Sequence, residues 1–161
     1  MDLNLLERMT TSMRHRGPNG SGVWSNGRFG LGHRPRSILD LSDAGAQPMS
    51  DPTGQIWVSF NGEIYNYREL RRELEQGGAQ FRTHGDTEVI LAAWQRWGPD
   101  CLARLDGMFA FALYDLARRQ LFLARDRLGV KPLYLARLEG GALAFASEMK
   151  GLLANPLMRR E

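Results

Sequence analysis

Few of the 161 residues could take part in bond-making chemistry, and their spacing narrows the choice. Cys101 is the only cysteine, which excludes an intrachain disulfide framework and any multi-cysteine zinc site. It stands mid-chain beside Leu102 and Leu105, where a small buried hydrophobe is expected. His15, His33 and His84 fall in separate loops without metal-ligand spacing, which predicts ordinary loop hydrogen bonding. Lys131 lies in GVKPLY, which lacks the glycine-rich phosphate-loop pattern. Two polar stretches remain. Asn61-Gly62-Glu63 follows a β-rich run and, read locally, forms a tight turn. Asp86-Thr87 opens a helical pattern and, read locally, forms its cap.

The elements around these residues follow from periodicity. Leu5, Leu6, Met9 and Met13 give a helix over Leu3–Met13, ended by the turn cluster Arg14–Gly22. Val23–Trp24 and Phe29–Leu31 flank Asn26-Gly27, a hairpin signal. Ile56–Phe60 reads as a strand that empties into Asn61-Gly62. Asn66–Gln76 and Thr87–Trp97 read as amphipathic helices. Strands are expected at Met108–Tyr114, Gln120–Ala124, Leu133–Leu138 and Ala142–Phe145, with turns around Asp115–Arg119 and Glu139–Gly141. Arg125–Pro132 is too short for a parallel crossover. Met149–Leu153 is a short last helix, stopped by Asn155-Pro156. Strands at both ends with helices between them predict antiparallel sheets covered by helices.

Composition sets outer limits. The chain is 43% hydrophobic, enough for one compact domain. Its net charge is +3 and its pI near 9.4, yet acids lie near every arginine pair and no basic run forms. No nucleic-acid partner is expected. No apolar run is long enough to span a membrane, and no leader precedes the domain, so a soluble cytoplasmic protein is expected.

Seven segments in order give the chain a family likeness: RHRGP at Arg14–Pro18, GAQPM at Gly45–Met49, NGEIYNY at Asn61–Tyr67, GDTEVIL at Gly85–Leu91, GMFAFALYD at Gly107–Asp115, ARDRLGVKPLY at Ala124–Tyr134 and FASEMKGLL at Phe145–Leu153. From Leu5 to about Pro156 the chain resembles the N-terminal glutaminase domain of asparagine synthase (glutamine-hydrolysing), a class II glutamine amidotransferase. The resemblance implies an α+β fold, a four-layer αββα sandwich of the N-terminal-nucleophile hydrolase type. Residues 1–156 would form the domain and 157–161 the start of a linker. It also implies hydrolysis of L-glutamine to glutamate and ammonia, the ammonia passing to a synthetase domain or subunit that amidates aspartate. No cofactor is implied for this domain; ATP and magnesium would belong to the synthetase domain, which the 161 residues do not include. By the match to NGE, the Asn61 side-chain amide and the Gly62 N–H would form the oxyanion hole. Glu63 and Asp86 would hold the ammonium of glutamine, and Arg36, Ser37 and Ile38 would complete its binding site.

Two departures bear on activity. Members of the family open with Met-Cys-Gly and a short strand, the cysteine thiol attacking with its own α-amine as base; this chain begins Met1-Asp2-Leu3. The first strand and the nucleophile are therefore expected to be missing, through a mis-called start, truncation or decay, and the domain to be inactive as written. Second, GHRPRSILD at Gly32–Asp40 places Pro35 where the family has the arginine that grips the glutamine carboxylate, leaving Arg36 as its substitute. Two other readings stand beside this one. The domain would be a non-catalytic scaffold or regulatory module, or a glutaminase serving another acceptor.

Overall fold

The structure, a computed structural model, describes residues 2–17, 20–34 and 45–158. The chain begins with α1 (Leu3–Ser12), whose N-cap Asp2 accepts the Asn4 N–H at 2.9 Å. A short 3₁₀ turn at Arg14–Arg16 leads to the hairpin of β1 (Gly22–Ser25) and β2 (Gly30–His33). Its loop closes as Asn26-Gly27 suggests: Asn26 Oδ1 accepts the N–H groups of Arg28 and Phe29, and Gly27 takes a φ of 86°. After the two-residue β3 (Met49–Ser50) come β4 (Ile56–Ile64), α2 (Tyr67–Gln76) and α3 (Asp86–Trp97). A 3₁₀ segment at Gly98–Ala103 precedes β5 (Gly107–Asp115) and β6 (Gln120–Arg125). β7 (Tyr134–Arg137), β8 (Leu143–Ala146) and α4 (Met149–Leu153) complete the described chain.

These elements stack in four layers. The central sheet runs β3-β4-β5-β6, all antiparallel, with β4 and β5 paired without a break from Ile56↔Asp115 to Ile64↔Gly107. On one face lie α2 and α3. There Val58, Phe60, Ile64, Phe109, Phe111 and Leu113 of the sheet meet Leu70, Leu74, Val89, Ile90 and Trp94 of the helices. On the other face lies the β1-β2 hairpin, where Trp24 stacks on Trp57 at 4.5 Å and Phe29 on Tyr114 at 4.2 Å, and the β7-β8 pair joins it through Phe145, 6.2 Å from Phe29. α1 and α4 form the outer layer, over a small core of Ala144, Ala146 and Leu152. The αββα sandwich read from the sequence is thus the observed architecture.

Most predicted elements match in kind and place; one boundary does not. β4 continues through Asn61-Gly62 to Ile64, so no turn forms there. Pairing with β5 outweighs the local turn signal, and the glycine serves a different need. A Cβ at Gly62 would strike the Met108 carbonyl oxygen and come within 2.7 Å of the Phe109 Cα, so only glycine lets the two strands close. The Arg125–Pro132 connection is no parallel crossover: it passes from the central sheet to the β7-β8 pair. Asp126 holds this loop, accepting the N–H groups of Val130 at 2.8 Å, Lys131 at 3.0 Å and Phe109 at 3.2 Å.

Candidate glutamine site at the edge of the central sheet

Alternation along β4 sends Val58, Phe60 and Ile64 toward α2 and α3, which leaves Trp57, Ser59, Asn61 and Glu63 on the face toward the second sheet layer. Asn61 is held there with its Nδ2 buried and donating to no group among the described residues. An orphaned buried amide costs about 1–3 kcal/mol, so its retention points to an absent acceptor.

The Gly62 N–H has no partner among the described residues, for a reason of register. Opposite it, Phe109 donates its N–H to Asp126 Oδ2 at 3.2 Å and accepts the Asp126 N–H at 2.8 Å, so both its polar groups face away from β4. Gly62↔Phe109 is therefore a non-hydrogen-bonded pair, and Gly62 likewise turns its N–H outward, to the open edge of the sheet. The neighbouring outward donors are taken: Phe60 N–H by Gln47 Oε1 at 2.6 Å and Ile64 N–H by Asp86 Oδ2 at 3.0 Å. One free backbone donor thus lies next to one free amide donor, the geometry that stabilises an oxyanion.

Asp86 is not the cap that its position suggests. It is the first residue of α3, with Gly85 at the N-cap position and no side-chain cap bond. Its carboxylate instead reaches across to β4. Burial pushes its pKa up; the N–H groups of Ile64 and, at the start of α3, of Asp86 and Thr87 oppose this, and the nearby Glu63 charge adds to the rise. Glu63 is exposed on the strand end. Two carboxylates close enough to repel each other would each gain from a shared cation.

The structure thus brings together four of the predicted residues, Asn61, Gly62, Glu63 and Asp86. Arg36, Ser37 and Ile38, with Pro35, lie outside the described residues. At the end of β2, Arg34 donates from Nη1 to the Gly20 carbonyl at 3.1 Å, while its Nε is buried with no partner among the described residues. His33 Nδ1 lies 3.3 Å from Ser59 Oγ, and burial lowers its pKa to about 4, which keeps the imidazole neutral at physiological pH. Cys101 is fully buried in the helix-side core, across the central sheet from Asn61, and burial raises its pKa to about 11. A buried thiol so far from ionising cannot be the nucleophile of this site. The open groove lined by Arg8, Arg14, His15 and Lys150 beside α1 shares no residue with the site. Among the described residues, no cluster of His, Cys, Asp and Glu could hold a metal, and no helix is long and apolar enough to cross a membrane. Sequence reasoning missed the bonds made by Gln47 and Thr87, although Gln47 stands in one of the seven landmark segments.

The helix-covered double sheet defines the class as an αββα fold of the N-terminal-nucleophile type. Two solved structures share it. Glutamine phosphoribosylpyrophosphate amidotransferase from Bacillus subtilis superposes with a TM-score of 0.78 at 23% identity, over 94% of this chain and 40% of its own. A structure titled as the allosteric regulatory enzyme of purine biosynthesis gives 0.77 at 23% identity. The glutamine amidotransferase domain family matches residues 1–161, and the chain belongs to that family. Among curated relatives, asparagine synthetase (glutamine-hydrolysing) 3 of Bacillus subtilis is 42% identical over 153 residues, covering 94% of this chain and 25% of the relative. Asparagine synthetase B (glutamine-hydrolysing) of Escherichia coli is 47% identical over 141 residues, covering 88% of this chain and 25% of the relative. The chain thus spans a quarter of the length of these two relatives.

Proposed function

We propose that this domain is the glutamine-binding, ammonia-supplying half of an asparagine synthetase. The observation that carries the reading is the pair of donors unused among the described residues, Asn61 Nδ2 and the outward Gly62 N–H, beside the Glu63–Asp86 acids. Glutamine fits this arrangement end to end. Its ammonium meets the two carboxylates, and its side-chain carbonyl oxygen takes the two donors, which bind most tightly once that oxygen carries negative charge. Its α-carboxylate calls for a cation, which the chain supplies at Arg34 or, by the family likeness, at Arg36. The ammonia would pass to a synthetase half, to which ATP and magnesium chemistry would belong.

Cys101 is buried on the other side of the sheet and takes no part at this site. A second reading is that of a binding module which grips glutamine without splitting it. Calorimetry with glutamine together with an ammonia-release assay on this polypeptide tests both. We expect binding at millimolar glutamine or below and weaker binding in Asp86→Asn; ammonia release separates the two readings. No heat of binding at millimolar glutamine sinks the glutamine reading; ammonia release sinks the binding-only reading and the exclusion of Cys101 together.

A further inference from the structure

The Gly45–Met49 segment carries a side chain that the proposed chemistry has not used. Gln47 precedes β3, which pairs with β4 only at Met49↔Val58 and Ser50↔Trp57. Backbone pairing on that edge therefore stops short of Phe60, and the Gln47 side chain continues it. Its Oε1 accepts the Phe60 N–H at 2.6 Å, and its Nε2 donates to Thr87 Oγ1 at 3.3 Å. Thr87 is buried in the first turn of α3, next to Asp86, whose carboxylate accepts the Ile64 N–H at 3.0 Å.

The first turn of α3 is thus tied to the edge of β4 at two points, one on each side of Gly62. Phe60 and Ile64 lie roughly 13 Å apart along an extended strand, and the free Gly62 donor sits at the middle of that window. Core packing holds the body of α3 on the sheet, but with the Asp86 tie alone a single side-chain hydrogen bond would set the register of its first turn against the β4 edge. The Gln47 bridge supplies a second. Its own backbone is fixed as well, because the Gln47 carbonyl packs so closely on Gly22 of β1 that a Cβ there would collide with it.

We infer that Gln47 is a positioning residue that sets the distance between the amide-binding donors on β4 and the ammonium-binding acids, and so makes the site selective for glutamine over asparagine. This rests on the glutamine reading above. The two amino acids carry the same end groups and differ by one methylene, so a site with its two grips locked in register distinguishes them by length. A site with a loose second grip does not.

The test is calorimetric affinity for glutamine and asparagine, measured directly or by displacement, in the wild-type chain, in Gln47→Ala and in Thr87→Val. The second variant removes the hydroxyl at the far end of the bridge while keeping the side-chain shape. Both variants should lose about tenfold in glutamine affinity with little change for asparagine, the scale of one hydrogen bond or one methylene of discrimination. Equal losses for both ligands would show a merely structural part for Gln47 and overturn the inference. So would unchanged glutamine affinity in both variants; in either case the glutamine reading survives. A wild-type chain that binds no glutamine overturns both.

Discussion

Asp86 and Glu88 share the first turn of α3, Glu88 buried and Asp86 half-buried, yet their surroundings are opposite. Glu88 is saturated. It accepts the N–H of Arg82 at 2.9 and 3.1 Å, the N–H of Thr83 at 2.7 Å and the Thr83 hydroxyl at 2.8 Å, and it pairs with the Arg82 guanidinium at 3.6 Å. Burial alone would raise its pKa, but these donors prevail and hold it below the usual range. Asp86 accepts the Ile64 N–H at 3.0 Å, and the backbone N–H groups of Asp86 and Thr87 at the start of α3 also favour its charged form; burial, with the Glu63 charge beside it, still leaves its pKa above that range. A buried carboxylate whose lone pairs are all used is a staple. One that meets backbone donors but a second acid in place of a cation, and whose pKa stays raised, is poised for a cation that is not part of the chain.

The contrast can be broken or sharpened by substitution. Glu88→Ala should have the largest effect, a loss of about 3 kcal/mol or more in denaturant unfolding, because it orphans several buried donors at once. Any glutamine bound by the surviving folded fraction should bind with unchanged affinity. Asp86→Asn should do the reverse: glutamine affinity falls by roughly 1.5–3 kcal/mol in calorimetry, while unfolding free energy is unchanged or higher. If it is Glu88→Ala that weakens binding and Asp86→Asn that unfolds the protein, the two roles are misassigned. Asn61→Leu extends the test to an amide. Removing an orphaned donor should leave stability unchanged or raise it by about 1 kcal/mol, and glutamine binding should still weaken.

The smallest effect is on pH dependence. Glu88, with a depressed pKa, contributes stability that is present above its unfolded value and lost as pH falls through its folded one. Asp86, with a raised pKa, favours the folded state when protonated, and that contribution is lost as pH rises through its folded value. The stability gained by Asp86→Asn should therefore be greatest near neutrality and shrink on acidification. Glutamine affinity should begin to fall at a higher pH than an ordinary carboxylate would dictate. Melting curves across the acid range, with and without glutamine, check both signs.

Much of this was legible in the sequence. α1, the Asn26-Gly27 hairpin, α2, α3 and the strands β5 to β8 follow from periodicity and turn chemistry, because each is stabilised largely by its own pattern. Cys101 was readable as a core residue from its apolar neighbours. The site itself was less so. Asn61-Gly62 carries a strong local turn signal, which loses to nine cross-strand pairs with β5, a partner more than forty positions away. Asp86 carries a cap signal, which loses to a strand donor brought up by packing. The landmark segment around Gln47 stood out as a pattern. Its use, a side chain replacing backbone pairing along one stretch of a strand edge, is a tertiary fact that no local spacing encodes.

The unbroken β4–β5 ladder also bears on how the molecule fluctuates. Proteins open in cooperative pieces, and the piece with the deepest core and the longest pairing opens last. Here that piece is the β4–β5 ribbon with α2 and α3, whereas the β1-β2 and β7-β8 pairs are short and separate. Amide exchange at Phe109 to Leu113 should accordingly outlast that at Val23 or Ala144. Asn61 and Gly62 thus ride on the slowest-opening unit of the chain, and they hold their aim while the outer hairpins breathe.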